Sequence, residues 1–163
     1  MRTIQDDFRE YAYLDRKRSE EAGITPREYQ RWLLLRSRLE RVFSQGPPTE
    51  ESERRGSLRI PTRLAVEYDA EAGLAGTVTN LSRTGCYIST ELPAPVGTHL
   101  TLILELATTG ERLELSAEVV SIIAARTGRA SDRGMGLRFQ DVPPEDQKRL
   151  DDLYASLRPE LPS

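Results

Sequence analysis

Between Leu64 and Phe139 apolar residues recur at every second position in short stretches, and few folds accommodate that pattern. Leu64, Val66 and Tyr68 alternate; Val78 sits between threonines in Leu74 to Leu81; Cys86 to Ser89 is a further short run. Leu100, Leu102, Leu104 and Leu106 share one face, Leu113, Leu115, Ala117 and Val119 continue the period, and Met135, Leu137 and Phe139 close the series. A period of two puts alternate side chains on one face of an extended chain. Turn residues cut the stretches at 69–73, 83–85, 108–110 and 126–134. About six short strands with this spacing predict a small antiparallel β-barrel. A closing helix is expected from Pro143-Pro144, with Leu150, Leu153, Tyr154 and Leu157 on one side.

Before Gly46 the period is that of a helix. Ile4, Phe8, Tyr11 and Leu14 make one apolar side, and Gly23 supplies a stop. Thr25-Pro26-Arg27-Glu28 is a capping box, in which the Thr25 hydroxyl accepts from the Glu28 amide and the Glu28 carboxylate reaches back. Pro26 at the first helical position lacks a donor that would have no partner there anyway. Tyr29, Trp32, Leu33, Leu39, Val42 and Phe43 then form a stripe that ends at Gly46-Pro47-Pro48. The chain therefore divides into a helical hairpin over 1–45, a polar linker over 46–53, and a barrel with its closing helix over 54–158. The hairpin either packs on the barrel as additional core or uses Tyr29, Trp32 and Leu33 as a surface for a homodimer or protein partner.

Composition removes several classes of function. No apolar run among the 163 residues reaches the length of a membrane span, and Asp6, Asp7 and Glu10 make the N-terminus unlike a secretory signal, so a cytoplasmic location is expected. One cysteine, Cys86, rules out an internal disulfide framework and a cysteine-rich zinc site. A net charge of -3 argues against general DNA binding. Only Lys17 and Lys148 are lysines among 23 basic residues, and the planar arginine fork suits phosphates and flat rings better than an ammonium does.

Catalysis finds little support. His99 and Cys86 fall on different stretches and lack an orienting third group, and Gly134-Met-Gly136 lacks the third glycine and following helix of a dinucleotide turn. No cluster of metal ligands and no cofactor motif is present. A binding protein without catalysis is the expectation.

Two segments carry ligand chemistry. In Arg54-Arg55-Gly-Ser-Leu-Arg59 the arginines stand at the junction of linker and first strand, where Arg55 and Arg59 can converge on one anion. In Asn80-Leu-Ser82-Arg-Thr-Gly85, at the end of the second predicted strand, Asn80 and Ser82 offer a carbonyl acceptor and a hydroxyl on the same side of an extended chain. Gly85 permits a tight turn into the next strand.

Together these segments resemble the PilZ domain, a bacterial receptor module for cyclic di-GMP, whose signature is RxxxR followed after a strand by [D/N]xSxxG. The resemblance runs over about residues 53–157 and takes in Ile60-Pro61 and the Gly134-Met-Gly-Leu-Arg-Phe139 strand. It implies a six-stranded PilZ-like barrel with a C-terminal helix, here preceded by the helical hairpin. It also implies that Arg55 and Arg59 grip phosphates and stack on guanine, while Asn80 and Ser82, with Gly85 at the turn, read a guanine edge or support a phosphate. Arg54, before the motif, implies two stacked ligand molecules per chain. Ligand binding would draw the arginine segment onto the barrel and reset the hairpin. The rivals are a degenerate PilZ-like module that binds only protein, and an arginine-using nucleic-acid binder.

Overall fold

The computed structural model describes residues 2–20, 22–44, 58–69, 73–105, 110–123, 133–157 and 159. Two helices come first, α1 (Ile4–Ser19) and α2 (Pro26–Ser44). Six strands follow: β1 (Ile60–Asp69), β2 (Leu74–Leu81), β3 (Gly85–Ser89), β4 (His99–Glu105), β5 (Arg112–Ile123) and β6 (Gly134–Phe139). The last element is α3 (Pro144–Ser156). The strands form a closed antiparallel barrel in the order β1-β2-β3-β6-β5-β4, so the expected six-stranded barrel with its C-terminal helix is present.

Local chemistry sets the helix starts. Thr25 and Glu28 exchange the predicted pair of bonds, each 3.1 Å long, and the other Glu28 oxygen lies 2.8 Å from Lys17 Nζ on α1. A second capping box, Thr3 with Asp6, opens α1. Gly23, at φ 67°, takes the left-handed conformation between the two helices, which an L side chain adopts only at a cost.

One continuous core runs through barrel and helices. Ile60, Val66, Val78, Ile88, Leu102, Leu104, Leu113, Val119 and Met135 fill the barrel, while Phe8, Tyr11, Leu35, Leu39, Leu150 and Tyr154 extend the same cluster into the helices. Phe8 meets Tyr154 edge-on at 5.6 Å. Trp32 is buried at 4% exposure, stacked on Tyr11 at 6.2 Å, and covered by the Arg18 and Arg36 guanidinium groups at 4.3 and 5.4 Å from its ring centre.

That burial corrects the expectation for the hairpin surface. Trp32 belongs to the interior of this chain, because α1 supplies Tyr11 and the Asp15 carboxylate, which accepts the indole Nε1–H at 3.0 Å. Tyr29 and Leu33, 46% and 42% exposed, are what remains of the proposed surface stripe. Leu35, absent from the predicted stripe, is fully buried. The 46–53 linker and Leu106 lie outside the described residues.

Candidate ligand-binding site

The site begins with a disturbance in the β2–β3 ladder. Val78 pairs with Ile88 and Asn80 with Tyr87, so Thr79 is an extra residue on β2. Strict alternation from the buried Val78 would turn Asn80 into the barrel. The bulge shifts the phase, so that Leu81 is fully buried while Asn80 lines an external cavity. Next door, Arg59 leads into β1 at Ile60, which pairs with Leu81, and Pro61 pairs with Asn80. Two strand ends thus bring together Arg59 and Asn80, one residue from each of the two sequence segments.

They line a cavity of about 240 Å³ between the barrel and α2. Leu58, Pro61 and Thr79 complete its barrel side, and Glu40 and Phe43 of α2 form the facing wall. Below it the chain is anchored: the buried Tyr154 hydroxyl donates to the Leu58 carbonyl at 2.9 Å, which ties the start of the arginine segment's strand to α3. Arg54 and Arg55 lie outside the described residues.

Ser82 takes a different place from the one its spacing suggests. It is 6% exposed, its Oγ accepts from the Thr84 and Gly85 amides at 3.2 and 3.1 Å, and it also donates to the Gly85 carbonyl at 3.2 Å. Ser82 therefore builds the turn that ends β2 and does not share the cavity with Asn80. Gly85 is required by close approach, since a Cβ there would lie 2.2 Å from the Leu137 carbonyl oxygen.

The turn holds a residue that the sequence reading passed over. Arg83 Nε and Nη2 donate to the two Asp151 oxygens of α3 at 3.0 and 3.1 Å. Its Nη1 donates to Ser19 Oγ at 2.7 Å and to Asp15 Oδ2 at 3.2 Å, both on α1. Burial lowers the Arg83 pKa, and the Asp151 and Asp15 carboxylates together more than offset it, so the net shift is upward. Asp15 is 1% exposed and also accepts the hydrogen bond from the Trp32 indole N–H, so one carboxylate joins α1, α2 and the turn between β2 and β3. The signal was present: Asp15 lies on the helical stripe with Phe8 and Tyr11, and an acid on a buried face needs partners.

The residues weighed for catalysis sit apart. Cys86 is buried on β3, and desolvation pushes its thiol up to about 12, which suits a packing residue. His99 is exposed on β4, with Nδ1 2.9 Å from Gln140 Oε1. Among the described residues no group of three or more His, Cys, Asp or Glu is placed to hold a metal ion, and no helix is long and apolar enough to cross a membrane.

The model of the PilZ domain family matches residues 53–156. The chain belongs to the PilZ family. That match takes in both segments and the whole barrel, and leaves α1 and α2 outside. The PilZ fold recurs in solved structures. The Bacillus subtilis inhibitor of motility MotI/DgrA is 23% identical, with a TM-score of 0.53, over 66% of this chain and 54% of that one. The PilZ domain of YcgR from Escherichia coli, solved with c-di-GMP, is 18% identical with a TM-score of 0.51, over 64% and 91%. The K. pneumonia MrkH–c-di-GMP complex is 19% identical with a TM-score of 0.51, over 61% and 50%. The similar region thus spans about half of the Bacillus and MrkH chains. No curated relative matches the chain.

Proposed function

We propose that this PilZ protein is a receptor for cyclic di-GMP that acts without catalysis, and that ligand occupancy moves the helical hairpin relative to the barrel. The observation that carries this reading is the cavity that Arg59 and Asn80 both line, with the bulge at Thr79 placing Asn80 on its wall. Solved proteins of the same fold hold this nucleotide, which supports the choice of ligand.

The chemistry of the residues fits a cyclic dinucleotide. Two phosphates need fixed positive charge, and Arg59 with Arg55 supplies planar donors that bond phosphate oxygens and lie flat on a base. Asn80 offers one carbonyl acceptor to a guanine edge. Ser82 and Gly85 act one step back, by holding the turn that presents Asn80.

The shape of the cavity supports coupling to the hairpin. Its far wall is α2, through Glu40 and Phe43, so a ligand that fills it meets the hairpin directly. The same helix is tied through Trp32 and Asp15 to Arg83, two residues from the bulged strand. A ligand that displaces α2 therefore strains the Asp15 junction as well. Titration calorimetry with cyclic di-GMP, with GTP and a short oligonucleotide as controls, tests the reading. Saturable binding of cyclic di-GMP alone is expected; binding of none of the three would favour a module that meets only protein.

A further inference from the structure

We propose that the outward face of α2 docks an acidic amphipathic helix of a partner protein, with Leu34 at the centre of the contact and Arg27 and Arg41 at its ends. The proposal goes beyond the receptor reading and does not depend on it, since this face points away from the cavity side that carries Glu40 and Phe43. Seven residues are close to two helical turns, so Arg27, Leu34 and Arg41 form one stripe that drifts only about 20° at each step. Arg38 stands beside the stripe, one turn after Leu34. The three arginines are exposed, and Leu34 keeps 46% of its surface open. From Arg27 to Arg41 the stripe is about 21 Å long, enough to seat several turns of a second helix.

Charge complementarity identifies the occupant. The inner cations of α2 are matched within the chain: Arg31 bonds Glu10 at 2.6 Å, and Arg36 lies 3.9 Å from Glu40. Arg27, Arg38 and Arg41 make no ion pair with any described residue. Both carboxylates of α2 are committed elsewhere, Glu28 accepting from Lys17 and the Thr25 amide, and Glu40 at 7% exposure. No acid therefore stands among the exposed residues of the helix. Helix formation does not account for this pattern. Arg27 lies in the first turn, where the helix dipole disfavours a cation, and Arg38 and Arg41 repel each other three residues apart. Of the three only Arg41, in the last turn, suits the dipole. The matching surface is a helix with carboxylates one heptad to either side of an apolar residue. A second copy of the chain would set arginine against arginine in a two-fold contact. A nucleic acid has no use for Leu34 between its phosphates, and the net charge of -3 opposes both it and an anionic lipid surface.

The test uses the full chain, without nucleotide, and four probes read by fluorescence anisotropy. The first is an alanine-based helical peptide of about 21 residues, with a central leucine and glutamates seven residues to either side. The second carries lysines in place of the glutamates; the others are a phosphatidylglycerol vesicle and a DNA duplex. The unmodified protein should bind the glutamate peptide at least about fivefold more tightly than the lysine peptide, and less tightly as salt is raised. Arg27→Glu with Arg41→Glu should reverse the preference, and Arg27→Lys with Arg41→Lys should keep it. Leu34→Ala should weaken the glutamate peptide about fivefold. The comparison of the two peptides in the unmodified protein decides even where a variant fails to fold. No binding of the glutamate peptide, equal binding of both peptides, or a preference that survives the charge reversal overturns the proposal. So does vesicle or duplex binding that the charge reversal abolishes, which would assign the stripe to lipid or nucleic acid. Because cyclic di-GMP is absent throughout, none of these outcomes bears on the receptor reading.

Discussion

Arg83 Nη1 lies 3.2 Å from Asp15 Oδ2, so the turn that follows β2 is bonded to a helix outside the stretch that matches the PilZ domain. The pair is deeply placed, with Asp15 at 1% and Arg83 at 16% side-chain exposure. Asp15→Ala would take the acceptor from the Trp32 indole and one partner from Arg83, whose guanidinium keeps Asp151 and Ser19. Leaving a buried donor unsatisfied costs about 1–3 kcal/mol. Urea unfolding followed by Trp32 emission should show that loss, and Asp15→Asn a smaller one, since an amide oxygen still accepts from the indole.

Arg55→Ala and Arg59→Ala should each weaken cyclic di-GMP binding at least about tenfold, because each removes charge-assisted bonds and a stacking face. Asn80→Ala should cost less, as the bonds it removes are neutral, and Asn80→Asp should strengthen binding by offering a second acceptor. Raising the salt concentration should weaken all of these complexes through screening of the phosphates. Calorimetry at two ionic strengths measures each effect.

Arg54 sets an expectation for stoichiometry. Two stacked ligands bring four phosphates together, and a third guanidinium reduces their repulsion. Two cyclic di-GMP molecules per chain are expected, falling to one in Arg54→Leu. A ratio of one for the unmodified protein, measured well above the dissociation constant, would refute this.

The hairpin surface and the hairpin core are now separable. Leu33→Glu changes a half-exposed side chain and should lower the sedimenting mass if the hairpin joins copies of the chain, whereas Tyr29 stacks on Trp32 at 5.7 Å and belongs partly to the core. Trp32→Ala empties a buried, stacked site and should instead cost about 3–5 kcal/mol at unchanged mass.

Acid should loosen α1 from α2. Arg31 hydrogen bonds hold the Glu10 carboxyl below its ordinary range, and Lys17, with the Thr25 amide, does the same for Glu28. A carboxyl lowered in the folded state stabilises it above the ordinary value of 4.5. That contribution is lost as pH falls through the folded-state value. The melting temperature should therefore hold from neutral pH to about 5 and decline below it. Glu10→Gln with Glu28→Gln should lower the plateau and flatten the decline.

Much of this arrangement was legible because its causes are local. The Thr25–Glu28 box and the period-two stretches need only neighbours in sequence, and both appear where the spacing puts them. Arg59 and Asn80 were legible as a pair because their motifs flank a single strand pairing. Trp32 was misread because its cover comes from α1, and a stripe on one helix does not reveal its partner. The Thr79 bulge was hidden for a similar reason, since it depends on pairing with β3; Ser82 instead bonds the Thr84 and Gly85 amides two and three residues on, a local turn that competes with ligand contact for the same hydroxyl. Glu40 and Asp15 were overlooked among the charged residues, although each lies on a helical face that carries buried apolar side chains.

The closed barrel has a consequence for how a message leaves the molecule. β1 pairs with β4 at Val66–Leu104 and Glu67–Ile103 as well as with β2, so the described strands close on themselves and offer a visiting peptide little edge to extend. A partner can instead read side chains, and the outward faces of helices seated on the barrel by a shared core and a few ion pairs present them. On the receptor reading, changes to the outward face of α2 retune what the signal reaches and leave the cavity residues as they are.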